Sequence, residues 1–249
     1  MNFWKFIKNA AAGEIPESAE LRIEGDIVDD DFAWLYEWYG EKYTAPNAFR
    51  ESLNALGGVP LTVWIDSYGG SVFAAAGIYN ALMEYKGPVT VKIDGKAMSA
   101  ATIIAMAGEK ILMSPVAIMM IHNPLTYAEG YASDLRKTAD VLDEVKETIV
   151  NAYQLKTGKS RNKISALMDE EFYMSARTAI KEGFADEMMY AEAGEPSEPV
   201  NLAFRRQAVY NCTNDAIKRM IELQKTAPAP AQKPDTAVLK AKMALQLEL

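Results

Sequence analysis

One cysteine, Cys212, and one histidine, His122, are all that 249 residues contain of these two types. A single thiol forms no intrachain disulfide and no cysteine metal cluster, and it suits a reducing compartment. A single imidazole excludes any site that needs two histidines from one chain, so histidine-dependent chemistry must run through His122. Positive charge is also short. Lys and Arg number 26 against 34 Asp and Glu, for a net charge of -8 and a pI near 4.9. That balance argues against a general nucleic-acid binder. No uninterrupted apolar run approaches the ~20 residues that span a bilayer. No metal, organic cofactor, nucleic acid or membrane partner is expected.

Hydrophobic residues make up 49% of the chain, enough to bury the core of one large domain with appendages. The start, Met1-Asn2-Phe3-Trp4-Lys5-Phe6-Ile7-Lys8-Asn9, is aromatic and basic and reads as a short amphipathic arm packing on its own protein or on a neighbouring subunit. Alternating apolar residues predict strands over Leu21–Ile27, Leu61–Asp66 and Val89–Asp94, with shorter ones at Lys110–Met113 and Ala117–Ile121. Helical patterns lie between them: Phe32–Tyr39, where the aromatics are assigned to the core, then Pro46–Leu56 and Ser71–Tyr85. A buried helix begins in Lys96–Ala107, and others cover Ser133–Leu155, Ser160–Met168 and Ser175–Glu182. Strands alternating with helices imply an α/β fold with largely parallel pairing. After Tyr190 the composition changes. The expected organisation is an arm over 1–20, a domain over 21–190, a linker and helix over 191–226, and a Pro/Ala-rich spacer with a short terminal helix over 227–249.

Three chain ends carry the chemistry. Ser67-Tyr68-Gly69-Gly70 follows one strand, Ser99 follows the next, and His122 ends a later one. In a parallel sheet such ends share one edge, where sites form. A serine at a helix start is ordinarily an N-cap, paired glycines an ordinary turn, and a lone histidine a satisfied core residue. The same residues also suit a nucleophile, a base and outward-pointing N–H groups able to hold an oxyanion.

In this order the segments Trp64–Gly70, Ala97-Met98-Ser99-Ala100-Ala101, Met120-Ile121-His122-Asn123-Pro124, Glu171–Ala176 and Glu182–Asp186 resemble the Clp protease proteolytic subunit family, over roughly Leu21 to Tyr190. The resemblance implies a crotonase-like spiral of strand-strand-helix units with a long handle helix after Ser133. It also implies a Ser-His-acid endopeptidase with Ser99 as nucleophile, His122 as general base, and the N–H groups of Gly70 and Ala100 as the oxyanion hole. Substrates would be polypeptides, bound as an added strand beside Leu125–Gly130. The chain would form a ring-shaped homo-oligomer, a heptamer or double heptamer, with a Clp-type ATPase as a candidate partner. Four departures stand out. Tyr68 replaces a usual proline. Glu171 stands where the family has an aspartate, with Asp169 as the alternative third member. The N-terminal segment differs from the one that engages the ATPase in housekeeping members, and a tail follows Tyr190. The last two, with the aromatic-basic start, resemble the phage-encoded head maturation (prohead) proteases. That branch implies capsid, portal or scaffold proteins as substrates, ATP independence, and a place in the host cytoplasm or the prohead. A catalytically idle scaffolding protein on the same fold is the non-enzymatic alternative.

Overall fold

The computed structural model describes residues 7–9 and 18–190. Most of the expected arm, and all of the linker, helix and spacer assigned beyond 190, lie outside the described residues. The elements run β1 (Ile7–Asn9), β2 (Ser18–Ile27), a 3-10 turn (Asp30–Phe32), α1 (Ala33–Tyr39), β3 (Tyr43–Thr44), α2 (Pro46–Asn54), β4 (Leu61–Gly70), α3 (Val72–Met83), β5 (Val89–Met98) and α4 (Ala100–Ala105). They continue with β6 (Lys110–Met113), β7 (Ile118–Ile121), α5 (Ala132–Thr157), α6 (Arg161–Asp169), β8 (Phe172–Ser175), α7 (Ala176–Lys181) and β9 (Glu187–Met188).

The spine of the sheet is β2-β4-β5-β6-β9, all parallel, with β1 antiparallel on the β2 side. β5 forks. Its Thr90–Ile93 half pairs with β6 and its Lys96–Met98 half with β7, which carries β8 antiparallel on its far side. This mixed α/β architecture agrees with the crotonase-like fold. The fork brings β7, and so His122, beside the end of β5. β3 and β8 escaped the sequence reading because β3 is two residues long and Phe172–Ser175 shows no apolar/polar alternation.

Alternation sets the core. Leu21 and Ile23 of β2, Val63 and Ile65 of β4, and Val91 and Ile93 of β5 are all fully buried, against Ala75 and Ile78 of α3 and Ile104 of α4. The other face of these strands carries Arg22, Trp64, Asp66, Lys92 and Asp94. It is tied by ion pairs such as Arg22–Asp94 (2.5 Å) and Lys96–Asp66 (2.6 Å), and by Lys92 over the Trp64 ring.

Three expectations need correction. Ser67–Gly70 is part of β4, not a turn after it, because β2 continues alongside and pairs through Asp26↔Gly69 and Ile27↔Gly70. Lys96–Met98 is strand, not helix start, because β7 supplies a ladder partner. The aromatics of Phe32–Tyr39 are not core. Phe32, Trp34, Trp38 and Tyr39 are exposed, Trp38 at 72%, and Trp38 stacks on both Trp34 and Tyr39. The inward side of α1 is held instead by Ala33 and Tyr36 against Val28, Tyr43 and Ala45.

Candidate active site

Ser99 sits between β5 and α4 at φ 54° and ψ -128°, a region that L-residues rarely occupy. Its side chain makes no N-cap bond. Both main-chain groups of Ser99 have partners. The Ser99 N–H donates to Met120 O (2.9 Å), and the Ser99 carbonyl accepts from Thr102 N–H (2.9 Å) and from the Thr102 hydroxyl (2.5 Å). The turn lifts the hydroxyl out of the helix, and Ser99 Oγ lies 2.7 Å from His122 Nε2. The β5–β7 register produces this meeting. Met98 pairs with Met120, so the residues that follow each strand leave the sheet together.

His122 is half-buried. Loss of solvation lowers its pKa from the ordinary 6.5, and the negative charge of Glu171 opposes that shift. A neutral imidazole at neutral pH can accept the Ser99 proton. Glu171 follows α6 and has φ 51°, a second non-glycine residue in left-handed backbone. Asp169 is engaged elsewhere. Its Oδ1 accepts from Lys146 Nζ (2.6 Å) and Asn123 Nδ2 (2.9 Å), which holds its carboxyl below the usual range. Of the two carboxylates weighed as third member, only Glu171 acts on the imidazole charge.

Gly69 and Gly70 lie at φ 102° and 145°. A Cβ on Gly69 would sit 2.6 Å from Met98 O, 2.8 Å from Ser99 Cβ and 2.9 Å from Ala100 N, so Gly69 packs directly on the Ser99 turn, while Gly70 packs on Ile27 of β2. The Ala100 N–H belongs to the first turn of a helix and has no intrahelical acceptor. Gly69, next to Gly70, and Ala100 thus meet beside Ser99 from two different strand ends.

Ser67, fully buried, fixes the glycine pair. Its hydroxyl donates to Gly25 O (2.6 Å) and accepts from Gly69 N–H (3.0 Å). Tyr68 lies exposed beneath Lys96 Nζ, 4.4 Å from the ring centre. A cleft of about 580 Å³ opens beside the site. Val72, Phe73, Leu125, Val141 and Leu142 make it mostly apolar, and Gly70 and Pro124 connect it to the nucleophile and base. Leu125 and Tyr127 of the segment after His122 are exposed. Among the described residues no group of His, Cys, Asp or Glu is arranged to hold a metal ion, and no helix is long and apolar enough to cross a membrane.

Sequence reasoning passed over Ser67 and Thr102. Both carried a signal, a single hydroxyl at a position whose neighbours demand burial, and buried polar groups require partners.

A family model described as Clp protease matches residues 53–192. The ATP-dependent Clp protease proteolytic subunit of Bacteroides fragilis is 33% identical over 134 residues, 53% of this chain and 65% of the relative. The subunit of the same name from Bacteroides thetaiotaomicron is 31% identical over 134 residues, 53% and 61%. The ATP-dependent Clp protease proteolytic subunit 1 of Prochlorococcus marinus is 34% identical over 126 residues, 50% and 64%. The chain thus spans less than two thirds of the length of these relatives. The matched stretch covers more than half of the chain and holds Ser99, His122 and Glu171, and on that ground the chain belongs to the Clp protease family.

Proposed function

We propose that the chain is a serine endopeptidase. The observation that carries this is the 2.7 Å contact between Ser99 Oγ and His122 Nε2 at a turn that exposes the hydroxyl. Ser99 Oγ attacks a peptide carbonyl while its proton passes to Nε2. The N–H groups of Gly70 and Ala100 hold the oxygen as it becomes negative. The imidazolium, steadied by Glu171, gives the proton to the departing amine as the C–N bond breaks. Water then hydrolyses the acyl-enzyme through the same base. The apolar cleft takes the substrate side chain next to the scissile bond, and the exposed Leu125–Gly130 segment offers an edge for an extended peptide.

Labelling by a fluorophosphonate and cleavage of a fluorogenic peptide test this. Ser99→Ala and His122→Ala should each abolish labelling and lower turnover by roughly 10⁵-fold or more. Labelling that survives Ser99→Ala overturns the assignment.

The finer proposal is a phage or prophage head maturation protease acting on capsid, portal or scaffold proteins as a ring of seven or a double ring. It is supported by the aromatic-basic start, by the N-terminal segment that differs from that of housekeeping members, and by the long sequence after Tyr190. Co-expression with the neighbouring capsid protein, with and without Ser99→Ala, is its test. Cleavage should occur without ATP and only with Ser99 present. The second reading, a degradative subunit working with a Clp-type ATPase, is favoured by the names of the relatives. ATP-dependent turnover and a stable complex with such an ATPase select it instead.

A further inference from the structure

The turn that carries Ser99 is fastened from behind by two buried hydroxyls. Thr102 and Tyr153 are 0% and 1% exposed, on α4 and α5 respectively. Their oxygens lie 2.6 Å apart, and the Thr102 hydroxyl lies 2.5 Å from the Ser99 carbonyl oxygen. Each hydroxyl has one proton. Thr102 donates its own to the carbonyl, so the Tyr153 hydroxyl must be the donor to Thr102. The chain of donation therefore runs Tyr153 O–H to Thr102 O–H to Ser99 C=O. Edge-on packing against Phe184, 5.4 Å between ring centres, locks the Tyr153 ring.

The carbonyl at the end of this chain is half of the Ser99–Ala100 peptide, and the other half is the Ala100 N–H. A peptide is planar, so its C=O and N–H point in opposite directions. Pinning the carbonyl into the core aims the Ala100 N–H outward to the place beside Ser99 Oγ. Donation to the carbonyl also polarises the amide and strengthens its N–H as a donor, and a second donor behind the first adds to this. We infer that Thr102 and Tyr153 are positioning residues for the oxyanion hole, acting through the Ser99–Ala100 peptide without touching substrate. This rests on the serine-peptidase reading above.

The test uses the full chain with four variants: Tyr153→Phe, Thr102→Val, Thr102→Ser and the double Thr102→Val/Tyr153→Phe. Losing a donor outright from an oxyanion hole lowers turnover about 10²–10³-fold. Misaiming one should lower kcat less, roughly 10–50-fold for Thr102→Val and roughly 3–10-fold for Tyr153→Phe, with KM little changed. Thr102→Ser should restore most of the rate. Affinity for a peptide aldehyde, whose adduct places an oxyanion in the hole, should fall by a similar factor. Peptide binding measured on a Ser99→Ala background should not fall.

The double variant separates positioning from mere stability. Removing both hydroxyls leaves no buried donor orphaned, so thermal stability should recover relative to Thr102→Val. The aldehyde affinity and kcat should stay low. If kcat and aldehyde affinity recover with stability, or if KM carries the whole effect, the inference fails while the peptidase reading stands. A wild-type protein that neither labels with fluorophosphonate nor loses turnover on Ser99→Ala removes both.

Discussion

β4 reaches its helix through two glycines at φ 102° and 145°, whereas β5 reaches its helix through Ser99 at φ 54°. The two junctions touch, since the space of a Gly69 Cβ is already taken by Met98 O and Ser99 Cβ. In the proposed mechanism only main-chain donors are needed at the first junction, and glycine supplies the backbone shape without steric penalty. At the second the proposed mechanism makes the side chain the working part, so glycine would not serve and the backbone carries strain of about 1–3 kcal/mol. Hydrogen bonds from Thr102 and to Met120 hold it there. Among the described residues only Ser99, Glu171 and Tyr190 are non-glycines with positive φ, and the first two belong to the proposed site. On the proposed roles, this fold accepts strain where a side chain acts and uses glycine where only N–H groups act.

The sharpest way to break that contrast is to give the first junction a side chain. A Cβ on Gly70 would lie 2.1 Å from Ile27 O and 2.9 Å from Ile27 N, both backbone, so nothing nearby can yield without shifting β2. Gly70→Ala should destabilise by about 4 kcal/mol, the range of severe core lesions, as read from urea unfolding. A loss below about 1 kcal/mol would show that the glycines are not required by packing.

The second prediction concerns the other strained residue. Burial lowers the His122 pKa below 6.5 and the Glu171 charge partly restores it. The base must be neutral to act, so the acid limb of kcat/KM should lie below pH 6.5. Glu171→Gln removes the restoring charge. It should push that limb to lower pH while cutting kcat about 100-fold, because the imidazolium loses its stabiliser. Asp169→Asn should do neither, since its carboxylate serves Lys146 and Asn123. The same depressed pKa has a stability consequence. As pH falls through 6.5 the unfolded chain takes up a proton before the folded one does. Stability therefore declines from about pH 6.5 down to the folded pKa and then levels off. An acid limb that moves upward in Glu171→Gln would remove Glu171 from the site.

Much of this contrast is legible in the sequence. The long strands alternate cleanly because one face of the sheet is buried, and the glycine pair, Ser99 and His122 all stand where strands end. The pairing of the two junctions was not legible. It depends on the β5 fork, which sets β7 rather than β6 beside the end of β5, and local periodicity carries no information on which strands pair. The aromatics of α1 misled because apolar size predicts burial only on average, and here the inward side of a two-turn helix is already filled by Ala33 and Tyr36. Thr102 and Tyr153 are 51 residues apart, a separation across which no spacing rule operates.

Ser67 offers a milder perturbation of the glycine junction. Its hydroxyl is the one side-chain group that joins Gly25 O to Gly69 N–H inside the core. Ser67→Ala leaves both main-chain groups without that partner and should destabilise by about 2 kcal/mol. Turnover should fall with it, because the glycine turn would no longer be held against Ala100. A variant that unfolds more easily yet keeps full kcat would show that the two junctions are not coupled.

The smallest expected effect is the most diagnostic, because its sign is reversed. In regular structure a glycine is about 0.5–1 kcal/mol less stable than an alanine. At position 99 the backbone sits at φ 54° and ψ -128°, where alanine is strained and glycine is not. Ser99→Ala and Ser99→Gly both remove the hydroxyl and its contact with His122, so both should be inactive and their difference reports the backbone alone. Ser99→Gly should be the more stable of the two by about 1 kcal/mol, the strain relieved exceeding the entropy that glycine adds to the unfolded chain. If instead alanine is the more stable, the turn holds no strain. The side chain at this junction would then be kept without conformational cost, and the contrast with Gly69-Gly70 would rest on packing alone.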